Sequence, residues 1–455
     1  MILSALSLLL ACSDKTADPS ETATDVARDV TDDSGQDINV TGIYEETPRN
    51  LIVFSIDTFR RDYLARYGNT EGLTPFLDGL TSESVVLDDH TSCSNWTFPS
   101  VLCTLSGRSN LETGFMPRLS SNTREQAPAE RWSLAGHLKD RGYYTTFHIT
   151  NSWLSDEWLN DQGYSYQAIP GTGNATEIYQ IARDHLLESV DTEADKWMMH
   201  VHVKEPHAAF NPPEEYLDGL DALPDIPWDL TNKDYHYDVA MDGWEDLSPE
   251  EQELLEAHLL VRYAGEVRYL DDQLAAIWAD LEQRGLLDDT LVLFFSDHGE
   301  AFWEHDVHTH AYTLYAEENA AVAFLWREGL VPMAWSGPTN HTDLAPTVLT
   351  AMGLDVPDGV TGLSVGSGTD DRLFYSDSVA RWGMVQGVRK QNWRMMYRWS
   401  TGEKWLYDLD ADPLETDNLY APDHPQVIEL WEFLTPRMEQ AELLVTEFTP
   451  KDPGP

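Results

Sequence analysis

Four residues offer the clearest chemistry in this chain: Asp57, Thr97, Asp297 and His298. Two carboxylates, an imidazole and a hydroxyl oxygen suit one hard or borderline divalent cation, such as Mn²⁺, Mg²⁺, Ca²⁺ or Zn²⁺. A threonine hydroxyl is a weak nucleophile at neutral pH, and coordination to such an ion lowers its pKa and supplies the missing activation. Pro99 suits the first turn of a helix running to Leu105, which sets Thr97 at the helix N-terminus. Free backbone N–H groups and the positive dipole end there favour an alkoxide and the anionic oxygens of a bound ester. Taken alone, Thr97 would read as a simple N-cap.

What raises these residues above ordinary loop positions is the elements that precede them. Residues 51–56 (LIVFSI) form an apolar run of strand length, followed at once by Asp57. Residues 290–295 (TLVLFF) form another, followed by Ser296, Asp297, His298, Gly299 and Glu300. A third, 197–203, leads into Lys204-Glu205-Pro206-His207. Such runs read as parallel strands buried on both faces, and in open α/β sheets ligands bind just beyond the C-terminal strand ends. Helical stretches alternate with them. One starts at Pro75, another includes residues 133–138, and Ser248-Pro249-Glu250-Glu251 is a capping box opening a long helix toward Leu281. The alternation predicts a three-layer α/β/α sandwich. The acidic stretch 212–247 has no clear periodicity and is either a lid or a surface loop. Past Gly362, strand-like pieces at 373–375, 383–389, 393–397 and 405–409 predict a small antiparallel sheet, with a helix near 427–434.

Composition narrows the partners. Of 455 residues, 79 are Asp or Glu and 29 are Lys or Arg, a formal charge of −50 that argues against nucleic acid as a ligand. The same charge repels anionic esters at long range, so such a substrate needs local cation chemistry, most simply a metal. The short apolar N-terminus ending Leu9-Leu10-Ala11-Cys12 reads as a lipoprotein signal with Cys12 as the acylated residue. Localisation at a bacterial cell envelope, on the outer membrane or periplasmic face, follows from that reading. The Asp-, Ser- and Thr-rich residues 13–48 then form a disordered acidic linker. Cys93 and Cys103 form either a disulfide bracing the Thr97 loop or two buried thiols.

Residues 97–108 (TFPSVLCTLSGR) resemble the sulfatase signature C-x-P-S-R-x-x-x-x-T-G-R, with Thr97 in the place of the Cys or Ser that becomes formylglycine. Ordered matches follow: 57–64 (DTFRRDYL), 202–207 (HVKEPH), 296–300 (SDHGE), Glu304-His305, His310, 343–347 (DLAPT) and 406–409 (LYDL) with Asp412-Pro413. The resemblance implies an alkaline phosphatase-like fold with a large mixed, mainly parallel sheet at 49–365 and a C-terminal antiparallel α+β subdomain at 366–455. It implies metal ligation by Asp57, Thr97, Asp297 and His298, and substrate contacts from His207 and His310, one of which protonates the leaving group. Arg60 and Asn151 are further candidates for contacting the ester.

The departures point away from formylglycine chemistry. Threonine cannot yield that aldehyde, Val101 replaces the signature Arg, His298 replaces the usual Asn, and His310 replaces Lys. They resemble relatives that use threonine and one metal on phosphodiesters or phosphonates. The expected activity is hydrolysis of such an ester on a small molecule, glycan or lipid. The alternatives are a sulfuric ester hydrolase without formylglycine, group transfer to an acceptor, and a silent ligand-binding lipoprotein.

Overall fold

The strand runs pair as their hydrophobicity dictates. The main sheet contains β1 (Asn50–Ile56), β2 (Val85–Leu87), β3 (Tyr143–Ile149), β4 (Tyr166–Ala168), β5 (Lys196–Val203), β6 (Thr290–Ser296), β7 (Ala323–Trp326) and β8 (Met333–Trp335). Their order is β8-β2-β7-β6-β1-β5-β3-β4. β7 runs antiparallel to both neighbours, and every other pairing is parallel. The computed structural model describes residues 47–455 except 120–125, 129–131, 156, 158, 160, 161, 171, 172, 368–370, 447–449, 452, 453 and 455. Cys12 and residues 13–46 of the linker lie outside the described residues.

β1 is buried along its whole length, with successive side chains on opposite faces. Ile52, Phe54 and Ile56 join one core with helices α1 (Pro75–Ser82), α3 (Ala175–Ser189) and α4 (Pro249–Gln283). Leu51 and Val53 join the other, with α2 (Thr97–Ser106) and α5 (Leu344–Ala351). These are the three layers that the alternating sequence predicts. At the start of α4, Ser248 accepts from the Glu251 N–H while Glu251 accepts from the Ser248 N–H, the expected capping box.

The residues at 212–247 form short turns packed against the body. His236 Nε2 lies 2.9 Å from His308 Nε2, and Trp244 stacks on Trp303 with centroids 3.8 Å apart. The small sheet, β9 (Leu373–Ala380), β10 (Gly383–Lys390), β11 (Trp393–Arg398) and β12 (Lys404–Asp408), is an antiparallel meander covered by α6 (Pro425–Leu444). It lies in one compact unit with the large sheet.

A buried polar knot ties the two sheets. Arg394 on β11 pairs with Glu415 at 3.0 Å and donates to the Leu314 carbonyl. Glu415 also accepts from the Ala316 N–H, and its carbonyl lies 3.1 Å from His305 Nε2. His305 Nδ1 meets Glu317 at 2.6 Å, and its ring stacks on Tyr315. Replacing Arg394 by Leu leaves Glu415, 1% exposed, without its guanidinium partner. The expected loss is about 3–5 kcal/mol in denaturant unfolding. The double variant Arg394→Leu/Glu415→Leu should recover most of it, and a double variant as unstable as the single would contradict this.

Burial alone would lower the His305 pKa, but the Glu317 bond and Glu415 outweigh it and push it up to about 9. A raised folded-state pKa gives stability that is present below the unfolded value, near 6.5, and lost as pH rises through about 9. The midpoint of thermal unfolding should therefore fall across that window in the wild type and fall less in His305→Gln. Parallel curves would exclude the ion pair as a source of stability.

Candidate active site

Parallel register gathers the sequence candidates at one sheet edge. Ile56 of β1 sits opposite Val203 of β5 and Ser296 of β6, and Ile149 of β3 sits opposite His202. The chain therefore delivers Asp57, Asn151, Asp297 and His298 just past adjacent strand ends. α2 brings Thr97 to them from its N-terminus. Trp96, not Thr97, occupies the cap position, and Thr97 is the first helical residue. Its hydroxyl is free to face the strand ends. Thr97 Oγ1 lies 3.4 Å from both Asp57 Oδ1 and His298 Nε2. The Asn151 amide donates to Thr97 Oγ1 at 3.1 Å and to Asp57 Oδ2 at 2.7 Å. Cys93 and Cys103 are joined as a disulfide with Cα atoms 6.7 Å apart, linking the preceding loop to the second turn of α2.

The electrostatics of this cluster fit a cation. Asp57, Asp297 and His298 are fully buried. Burial would raise Asp57, but His207, His202 and His298 together hold it well below the usual carboxylate range. Asp297 is pushed well above that range by burial and by the neighbouring Asp57, despite accepting from the Thr58 and His298 N–H groups. Asp297 Oδ2 and His202 Nε2 are buried without a hydrogen-bond partner among the described residues. Single oxygen or nitrogen atoms of Asp57, His202 and Asp297 all lie within 4.8 Å of one another. His298 Nε2 is 3.6 Å from Asp57 Oδ1 and from Asp297 Oδ2, while its Nδ1 is 2.9 Å from the Gly299 carbonyl. A divalent ion would satisfy the orphaned atoms and cancel the carboxylate repulsion.

On the outer side, the His310 ring packs 4.5 Å from His298 and 5.2 Å from His207. Burial lowers both His207 and His310 to about 3, with Asp57 opposing. Both are neutral in the free site, so leaving-group protonation by either requires the negative charge of an arriving ester to raise its pKa. Arg60 is already engaged: its guanidinium pairs with Asp62 at 2.8 Å and Glu304 at 2.5 Å and is not held free for an ester.

Three contributors were given no role by the residue-by-residue reading. His202 opens the 202–207 match but lies inside a strand, and its place beside the site follows from its pairing opposite Ser55. Glu300, which burial pushes up to about 7, holds His310 Nδ1 at 2.8 Å. Lys233, from the aperiodic stretch, keeps solvent contact, yet its crowded surroundings and Lys204 draw it down to about 8. Its ammonium sits over the Tyr237 ring. The SDHGE motif marked Glu300, while nothing in the pattern marked Lys233.

Removing one of the two crowded carboxylates should therefore stabilise the chelator-treated protein. Asp297→Asn is expected to raise its melting temperature and to abolish the further rise on adding Mn²⁺. A lower metal-free melting temperature with the Mn²⁺ response intact would contradict the charge assignment.

A family model described as Sulfatase matches residues 49–354. A choline-sulfatase of Rhizobium meliloti is 29% identical over 167 residues, spanning 34% of this chain and 32% of that protein. An N-acetylglucosamine-6-O-sulfatase of Bacteroides thetaiotaomicron is 21% identical over 489 aligned positions, covering 85% of this chain and 86% of that one. Among solved structures, a phosphonate monoester hydrolase from Silicibacter pomeroyi superposes with a TM-score of 0.64 at 18% identity, over 87% of this chain and 95% of that one. The chain belongs to the sulfatase family and is an ester hydrolase.

Proposed function

We propose that the chain hydrolyses a phosphoric ester, a phosphodiester or a phosphonate, with Thr97 as the nucleophile and one divalent metal held by Asp57, Asp297, His298 and the Thr97 oxygen. One observation carries this reading: Thr97 Oγ1 faces Asp57, His298 and Asn151 in a buried cluster, while Trp96 holds the cap position. When bound, a divalent cation supplies a lowered pKa for the hydroxyl and charge neutralisation for the ester oxygens. Asn151 fixes the hydroxyl and Asp57 together through its two donated bonds. Thr97 Oγ forms the new bond to phosphorus as the leaving-group oxygen departs. Water then cleaves the phospho-threonine. His207 and His310 bind the ester oxygens, with His310 oriented by Glu300. Cys12 would anchor the enzyme to the cell envelope by a lipid.

Hydrolysis of a sulfuric ester is the second reading, favoured by the sulfatase names among the relatives. Against it stand the threonine at position 97 and the absence of Arg at position 101, where Val stands.

Parallel assays of Mn²⁺-loaded protein with an aryl phosphodiester and an aryl sulfate separate the two. Phosphodiester turnover should dominate and fall about 10³-fold or more in Thr97→Ala. Thr97→Ser should retain a measurable part. Sulfate turnover alone would overturn the substrate class but keep the site. No Thr97-dependent turnover of either would support a silent scaffold.

A further inference from the structure

Behind Asp57 runs a line of buried polar groups that the proposed reaction does not use. β1 and β5 lie in the register Val53↔His200 and Ser55↔His202, which places Ser55, His200 and His202 on one face of the sheet. Ser55 Oγ lies 2.8 Å from His202 Nδ1 and 2.9 Å from His200 Nε2. The Tyr164 hydroxyl lies 2.7 Å from His200 Nδ1. Ser55, His200 and His202 are fully buried, and Tyr164 is nearly so. Phe147 stacks on both His200 and Tyr164, which fixes the line sideways.

With neutral imidazoles, each of these four groups has one proton, and a line in which Ser55 accepts from one imidazole and donates to the other can run in two senses. If Tyr164 donates to His200, then His200 Nε2–H donates to Ser55, Ser55 donates to His202 Nδ1, and the His202 proton sits on Nε2. In the opposite sense His202 Nδ1–H donates to Ser55, Ser55 to His200 Nε2, and His200 Nδ1–H to the Tyr164 oxygen. His202 Nε2 then presents a lone pair. That nitrogen is 3.6 Å from Asp57 Oδ2, has no hydrogen-bond partner among the described residues, and belongs to the same cluster as Asp297.

We infer that His202 Nε2 is a further ligand of the divalent cation, and that Ser55, His200 and Tyr164 are positioning residues that hold it in the ligating tautomer. The inference rests on the metal centre of the proposed function but not on its nucleophile or substrate. Hydrogen bonds behind a ligating imidazole fix its tautomer and raise its basicity, and losing one costs about 10–100-fold in metal affinity. Ser55 is the critical link, because it touches both imidazoles.

The test is calorimetric titration of the chelator-stripped full chain with Mn²⁺ and with Zn²⁺, alongside thermal unfolding to establish that each variant folds. Ser55→Ala should bind about 10–100-fold more weakly than the wild type. His202→Phe should bind more weakly still, and Tyr164→Phe, at the far end of the line, should lose less than Ser55→Ala. In Zn²⁺-loaded wild type, ¹⁵N spectra of histidine-labelled protein should show the His200 proton on Nδ1, a signature that a purely structural role would not produce. A His200 proton on Nε2 in loaded protein would overturn the inference, as would wild-type affinity in both Ser55→Ala and His202→Phe. A wild type that binds neither ion would overturn the metal centre as well, whereas a binding wild type with indifferent variants would remove only the role of His202.

Discussion

Asp57 and Asp297 stand together in a fully buried cluster, and among the described residues the basic side chains within 4 Å of their carboxylates are histidines rather than Lys or Arg. Two unit charges no more than 4.8 Å apart repel by at least roughly 3 kcal/mol at an effective dielectric of about 20. The fold tolerates this because the strands that end there are pinned by parallel pairing and by apolar cores on both faces. Backbone N–H groups of Thr58 and His298 further hold Asp297 in place. A cluster built this way is a demand for a cation. Thr97, Asn151 and the surrounding histidines are arranged about that demand.

The rest of the molecule keeps the cluster rigid and dry. α2 is buried along its whole length, and the Cys93–Cys103 link joins the loop before it to its second turn. The small sheet contributes through contacts close to the signature: Asp377 donates its N–H to the Cys93 carbonyl, and Ser94 Oγ donates to the Asp377 carbonyl. The stretch 212–247 packs on residues 303–308 and brings Lys233 toward the outer histidines. In a chain of net charge −50, this local gathering of histidine and lysine is where an anion can be held.

Much of this was legible in the sequence, because strand-end chemistry leaves a linear trace. An apolar run followed by a carboxylate marks Asp57 and Asp297, and Pro99 marks the helix start near Thr97. The three layers, the α4 capping box and the antiparallel meander follow from periodicity and caps. What could not be read was lateral. His202 opens the 202–207 match, but that it faces Ser55 and Asp57 appears only when β5 is set beside β1. Arg60 sits beside a site residue in sequence, but its carboxylate partners, one of them far along the chain, claim its charge. Lys233 reaches the site through a segment with no repeating pattern, where distance along the chain carries no information.

The central claim is that Thr97 forms a covalent bond to the substrate before water does. The stereochemical course at phosphorus tests it most directly, using a phosphodiester made chiral by isotopic or sulfur substitution and hydrolysed in isotopically labelled water. Two successive displacements, first by Thr97 and then by water, predict net retention of configuration. Net inversion would mean that water attacks phosphorus directly and would contradict the nucleophile.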